Sequence, residues 1–276
     1  MTCGRPRRVE ANGLAFQMSD WGGADRPPAL LLHSLAAHSH WWDWVAPLLA
    51  VRHHVIAIDF RGHGGSQWSE PYRFVDHVGD VDAVRATLGW RTALVIGHSM
   101  GGYVGALYAA HHPDRVTALV IADMLTGWSD EMEQRARRQA DRPAAEFPSA
   151  ADVGQRFRLA PPETTAPRER LAHLGEAGAV ERTPGRWSLA FDRRVFLHPP
   201  PDPFRFLDDV RAPTLVVRGA GSVVMSADEA DAVAAAVQRG EAAEVPDAFH
   251  HLVLDAPDAF AQLVLGWESR VSPRAR

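Results

Sequence analysis

The chain contains no lysine: all 29 of its Lys and Arg residues are arginine. Chemistry that needs a side-chain amine as nucleophile, such as a Schiff base, is therefore excluded. Cysteine is almost absent as well. Cys3 is the single one among 276 residues, so no intrachain disulfide can form, a cysteine-based zinc site is not expected, and a reducing compartment, the cytoplasm, is the expected setting. Positive charge is in deficit. With 29 basic against 34 acidic residues the formal net charge is −5, which provides no general attraction to nucleic acid or to an anionic membrane surface. Long apolar runs are missing too. The most apolar region, Ala93 to Ala110, is interrupted by His98, Ser99 and glycines and reads as strand, turn and helix, not as a membrane span. Met1 to Gln17 has arginines with no continuous apolar stretch behind them, so a secretory signal is not expected. No Gly-x-Gly-x-x-Gly follows the first parallel strand, so no dinucleotide cofactor, and no other cofactor, is expected. What remains is a globular chain, 46% hydrophobic and 23% charged, with material for a sizeable core and a small molecule as its expected partner.

The order of elements follows from the apolar runs. Asn12-Gly13 between two short runs suits the tight turn of a hairpin. Apolar stretches at Ala29–His33, His54–Ile58, Ala93–Gly97 and Thr117–Ala122 are each bounded by turn residues. Segments of helical periodicity, such as Arg73–Leu88 and Met100–His111, lie between them. Strands that alternate with helices predict an α/β protein with a mostly parallel sheet covered on both faces. From about Leu125 to Arg205 the alternation stops. This stretch is rich in Arg, Ala, Glu and Pro, with helix-length pieces at Ser129–Arg142 and Arg168–Ala177 and no convincing strand. Alternation resumes with a strand over Pro213–Arg218, a helix over Ala227–Gln238, a strand near Ala242–Val245 and a closing helix over Pro257–Trp267. The expected organisation is a core of residues 1–124 and 206–276 with a helical insertion, 125–205. Pro199, Pro200, Pro201 and Pro203 mark the return linker, and the residues from Ser272 onward are expected to fray.

The strongest local signal is Gly97-His98-Ser99-Met100-Gly101-Gly102 at the junction of a strand and a helix. A serine there must sit on a sharp turn, and glycines two residues before and after it let the backbone turn without a Cβ clash. Its hydroxyl is then exposed at a helix N-terminus, where unpaired amides and the helix dipole can hold an oxyanion.

In these residues the chain resembles the α/β-hydrolase superfamily. His33-Ser34-Leu35 resembles the oxyanion loop, where His-Gly is usual. Asp59-Phe60-Arg61-Gly62-His63-Gly64-Gly65-Ser66 resembles the Asp-x-Arg-Gly-x-Gly-x-Ser turn, and Pro113-Asp114-Arg115-Val116 the lead into the sixth strand. The resemblance implies an α/β-hydrolase fold with a helical cap and Ser99 as nucleophile. It implies backbone amides of Leu35 and Met100 as oxyanion donors, and His33 as a residue that ties down its loop. The family's catalytic histidine stands five residues before an aspartate that precedes the closing helix. Counting back from Asp255 selects His250, with His251 as competitor.

The acid is where the chain departs from the pattern. Relatives carry it in a loop resembling Arg-Gly-Ala-Asp-Ser-Asp after the seventh strand. Here the stretch reads Arg218-Gly219-Ala220-Gly221-Ser222-Val223, and both aspartate positions are empty. Some dehalogenases and lactonases of the superfamily place the acid at the end of the sixth strand, which points to Asp123. Asp228, Glu229, Asp231 and a site without an acid are the alternatives.

Ser34 and Trp128 are the expected substrate-binding residues. Trp41, Trp42 and Trp44 are expected to be core and cap-interface aromatics, one of which could line the substrate pocket. His38-x-His40 invites a metal reading, but no carboxylate stands at a ligand spacing nearby, so no metal is expected. The expected function is a cofactor-independent serine hydrolase that cleaves a small or medium carboxylic ester or lactone through an acyl-enzyme. A C–C bond hydrolase, a haloperoxidase-like perhydrolase, a lyase or cyclase, and a ligand receptor on the same fold are the alternatives.

Overall fold

The computed structural model describes residues 3–271, so the expected fraying from Ser272 lies outside the described residues. Two strands, β1 (Arg5–Ala11) and β2 (Leu14–Asp20), open the chain as an antiparallel hairpin. Asn12 and Gly13 both take positive φ, 50° and 73°, as the expected turn requires. β3 (Pro28–Leu32), the one-turn helix α1 (Ala46–Leu49) and β4 (His54–Ile58) follow. Next come α2 (Phe74–Thr87), β5 (Ala93–His98), α3 (Met100–His111) and β6 (Val116–Ala122). The segment 125–205 holds α4 (Asp130–Asp141), α5 (Ala150–Arg156), α6 (Arg168–Ala177), β7 (Ala179–Thr183) and β8 (Arg186–Leu189). The chain then returns through β9 (Thr214–Gly219), α7 (Ala227–Ala236), β10 (Gly240–Val245), α8 (Leu252–Asp255) and α9 (Pro257–Val271).

Eight strands form one sheet in the order β1-β2-β4-β3-β5-β6-β9-β10. The pairs β1/β2 and β2/β4 are antiparallel and the rest parallel. Apart from Pro28 and Thr117 the central strands are buried along their whole length, yet a period of two persists in what they touch. Leu30, Leu32, Val95, Leu119, Ile121 and Val216 pack with α2, α3 and α7. Their neighbours Leu31, Ile96, Val120, Leu215 and Val217 join a second cluster with α1, α8 and α9. Each such side chain contributes about 1.5–3 kcal/mol on burial, and the two clusters place helices on both faces of the sheet.

Segment 125–205 adds no strand to that sheet. It is not purely helical, which corrects the expectation of no strand there: β7 and β8 pair with each other as an antiparallel ribbon. The reason they were not legible lies in their surroundings. β7 is half to fully exposed along its length and its sequence, Ala-Val-Glu-Arg-Thr, has no buried face to impose alternation. The ribbon is held by its turn, where Gly185 has φ 73°, and by Phe147, whose amide and carbonyl both pair with Trp187 at 2.8 Å. The segment is pinned to the core by Asp192 N–H to Gly62 O (2.8 Å) and Tyr72 O–H to Asp192 Oδ2 (2.7 Å). Among the described residues no helix is long and apolar enough to cross a membrane.

Candidate active site

Parallel strands deliver their C-terminal ends to one edge of the sheet, and the predicted nucleophile and acid stand there on adjacent strands. Ser99 is the first residue past β5 and donates its amide to Ala122 O (2.8 Å); Asp123, the first past β6, donates to Val217 O (2.8 Å). The ladder thus extends one residue beyond each strand and holds both backbones. Ser99 adopts φ 54°, ψ −117°, a conformation that costs about 1–3 kcal/mol and persists only where neighbours enforce it. The enforcement is steric. A Cβ on Gly97 would lie 2.0 Å from Gly101 O, and one on Gly101 would lie 2.2 Å from Leu32 O.

From this turn Ser99 Oγ lies 3.2 Å from His250 Nε2, and His250 Nδ1 lies 2.8 Å from Asp123 Oδ1. Asp123 is fully buried and has φ 50°. Burying a carboxylate is costly unless its lone pairs are occupied. They are: the amide of Gly219 donates to Oδ2 at 3.0 Å and Ser222 O–H to Oδ1 at 2.7 Å. Ser222 Oγ in turn accepts from the amides of Val224 (3.1 Å) and Met225 (3.3 Å), which fixes the direction of its proton. Arg218 braces this loop, donating through Nε to Met225 O (3.0 Å) and pairing with Glu244. The loop that in relatives would carry the acid here supplies a hydroxyl and an amide to an acid on the neighbouring strand. Ser222 escaped sequence reasoning; the available signal was a serine kept in a loop stripped of its carboxylates. Of the alternative acids, Glu229 is occupied in the N-terminal capping box of α7 and by Thr126 O–H at 2.6 Å. Asp228 and Asp231 are exposed on the same helix.

His251 does not compete. Its Nε2 is 2.9 Å from Pro161 O, so it ties segment 125–205 to the core, and burial together with the neighbouring His250 lowers its pKa to about 3. His98 supports His250 from below. Trp41 Nε1–H can only donate, and it does so to His98 Nδ1 at 3.0 Å. His98 must then carry its proton on Nε2, which donates to His250 O at 2.8 Å. Burial, then the nearby His250 and His251, push the His98 pKa well below the ordinary histidine value and keep that tautomer neutral.

The oxyanion loop is set by His33. Its Nε2 accepts the Phe60 amide (3.0 Å), so Nδ1–H donates to Ser34 O (2.7 Å), and burial holds the ring neutral. Asp59 buttresses the same region, accepting the amides of Ser39 (2.6 Å) and Gly65 (2.8 Å). Leu35 and Met100 line the cavity over Ser99, and no hydrogen bond within the described residues occupies either amide.

This cavity encloses about 570 Å³, part of it open to solvent, and Leu35, Phe74, Met100, Leu125, Trp128 and Val195 are among its walls. Trp128, expected to bind substrate, is one of these walls. Ser34 is not: it is buried outside the lining, its carbonyl taken by His33 and by the Ala37 amide (3.2 Å), so the expectation for Ser34 is corrected. Trp41, Trp42 and Trp44 do not line the cavity either. Trp41 and Trp42 are buried, and Trp44 stacks under Arg170, whose guanidinium carbon is 5.0 Å from the ring centroid.

One premise of the metal expectation also needs correcting: a carboxylate does stand near the pair. His38 turns away to Leu174 O (3.0 Å), but His40 has a carboxylate three residues on: Asp43 Oδ2 lies 2.9 Å from His40 Nδ1 and 2.8 Å from His173 Nε2 of α6. Cys3 completes a four-residue group.

Comparison with known proteins places the chain. The family model of the alpha/beta hydrolase fold matches residues 27–257. A human serine hydrolase-like protein is 31% identical over 59% of this chain and 83% of its own length. A haloalkane dehalogenase of Bradyrhizobium diazoefficiens is 28% identical over 95% of this chain and 93% of its own. Three further curated relatives are matched over only 38%, 36% and 32% of their length. Among solved structures, E-2-(acetamidomethylene)succinate hydrolase superposes with a TM-score of 0.85 over 96% of this chain and 99% of that one, at 22% identity. The chain belongs to the alpha/beta hydrolase fold family.

Proposed function

We propose that the protein is a serine hydrolase that cleaves a neutral, largely apolar carboxylic ester or lactone through an acyl-enzyme on Ser99. The observation that carries this reading is the unbroken line from Ser99 Oγ through His250 to Asp123, opening on an apolar cavity beside two unpaired amides. In it, His250 Nε2 takes the proton as Ser99 Oγ attacks the carbonyl carbon. The oxyanion that forms is held by the amides of Leu35 and Met100, and Asp123, held in place by Gly219 and Ser222, offsets the charge on the imidazolium. His250 returns the proton to the leaving alcohol, and the same histidine then activates water to release the acid.

The walls narrow the substrate class. No arginine or carboxylate lines the cavity, and the hydroxyls of Tyr72 and Tyr103 are spent on Asp192 and Pro201 O. A substrate carboxylate would find no guanidinium there, only His198 and the Trp128 Nε1–H, which has no partner among the described residues, whereas acyl or alkyl chains would be covered by segment 125–205, acting as a lid. Halide displacement, the activity named for the Bradyrhizobium relative, does not suit this nucleophile: attack by Ser99 on an alkyl halide leaves a serine ether, which water does not release.

The test is labelling with a fluorophosphonate followed by turnover of aryl esters of increasing acyl length. An adduct on Ser99, and a fall in kcat of about 10³–10⁴ for Asp123→Asn with the fold retained, are expected. No adduct, or an Asp123→Asn variant of undiminished turnover, would overturn the reading.

A further inference from the structure

Away from the cavity, the structure gathers four potential ligands from three distant parts of the chain. Cys3 precedes β1, His40 and Asp43 lie between β3 and α1, and His173 comes from α6. One donor atom from each lies within 4.8 Å of every other. The contacts form around the carboxylate: Asp43 Oδ2 is shared by His40 Nδ1 and His173 Nε2, at 2.9 and 2.8 Å. A second, independent feature is the other oxygen. Asp43 is 1% exposed, and among the described residues its Oδ1 is buried without an N–H or O–H donor, an arrangement that leaves a carboxylate lone pair free. Its partners are reachable from solvent, the His40 and His173 side chains being 32% and 27% exposed and Cys3 exposed.

We propose that Cys3, His40, Asp43 and His173 form a tetrahedral site for a divalent transition metal of the zinc class, which fastens segment 125–205 and the start of the chain to the core. One thiolate, two imidazoles and one carboxylate is a donor set that favours zinc or cobalt(II) over calcium or magnesium, which require oxygen ligands. Bonds of about 2.0–2.3 Å from a tetrahedral ion set its ligands about 3.3–3.8 Å apart. The two imidazoles would therefore draw back from Asp43 by roughly half an ångström or slightly more, with Cys3 closing in. On binding, Cys3 gives up its thiol proton to solvent. The imidazoles present lone pairs where they now present N–H groups, their protons moving to the opposite ring nitrogens. The site is separate from the triad: none of its four residues lines the cavity.

The experiment uses the full chain without an affinity tag, stripped with a chelator and titrated with cobalt(II). Saturation at one equivalent is expected, with the visible bands of tetrahedral cobalt and a near-ultraviolet thiolate-to-cobalt band, both abolished by zinc. Cys3→Ser should remove the thiolate band. His173→Gln, at a partly exposed position, should weaken binding by about tenfold or more. One equivalent of zinc should raise the melting temperature of the wild-type chain by more than that of either variant. Absence of the thiolate band at one equivalent, or a spectrum unchanged in Cys3→Ser, would overturn the site, because the cobalt would then sit on other histidines. Fluorophosphonate labelling of Ser99 should proceed with or without metal, so a failed serine-hydrolase reading would not be confused with a failed metal site.

Discussion

Mild acid should destabilise this protein, and the burial of its histidines sets the scale. Burial lowers the pKa of His63 to about 4 and of His77 to about 3, and burial with the neighbouring His250 lowers that of His251 to about 3. Each is a base whose folded value lies beneath its unfolded value of 6.5, so the unfolded chain binds the extra proton. The stability that each contributes is complete above about pH 6.5 and is lost as pH falls toward the folded value. One such imidazole costs about 1 kcal/mol between pH 6.5 and 5.5 and a little more over the next unit. The three together remove about 3 kcal/mol by pH 5.5 and about 7 kcal/mol by pH 4.5. His33 and His98, held well below the ordinary value by burial, act in the same direction. Asp59 opposes them, since burial raises its pKa and acid relieves it. Against a typical total of about 5–15 kcal/mol, a loss of about 7 kcal/mol by pH 4.5 would unfold a chain in the lower part of that range. Urea unfolding followed by tryptophan fluorescence at pH 7.5, 6.5 and 5.5 measures it. His77→Gln should reduce the pH slope by one proton. A free energy that changes by less than about 1 kcal/mol from pH 6.5 to 5.5 would refute the reasoning.

Two substitutions probe the supports of the triad. Ser222→Ala removes the hydroxyl that holds Asp123 Oδ1, leaving the carboxylate freer to turn away from His250. About a tenfold fall in kcat with little change in KM is expected from steady-state kinetics; an unchanged kcat would show that Asp123 keeps its place without the hydroxyl. Trp41→Phe frees His98 Nδ1, so His98 loses the constraint that points Nε2–H at His250 O. A roughly fivefold fall in kcat with a retained fold is expected from steady-state kinetics, and an unchanged kcat would show that the backbone of His250 needs no such tether.

Much of the scaffold could be read along the chain because local rules govern it. The helix expected over Met100–His111 and that over Arg168–Ala177 coincide with α3 and α6. The central strands were visible as apolar runs because both their faces are buried. β7 and β8 were not, since an exposed ribbon that pairs only with itself imposes no apolar pattern. His250 was reached by spacing from Asp255. In the structure Asp255 fastens that loop: its Oδ2 accepts the Phe249 amide at 2.8 Å, and its Oδ1 accepts those of Thr165 (3.0 Å) and Ala166 (3.2 Å). Ser34 was misjudged because its position in the motif marks the loop and not the direction in which the loop faces.

By itself the sequence determined the turn that presents Ser99, for the glycines at 97 and 101 act on backbone atoms a few residues or one strand away. It also determined the alternation that makes the sheet, and, through the want of lysine, which nucleophiles were left. Only the tertiary structure decided which carboxylate meets His250, since Asp123, Gly219, Ser222 and His250 come from three separate crossings of the sheet. Cys3, which composition had set aside as a lone cysteine without a metal set, belongs to a four-residue group for the same reason. A ligand set depends on distances in space, and those are settled by how β1, α1 and α6 pack, not by the intervals at which their residues occur in the chain.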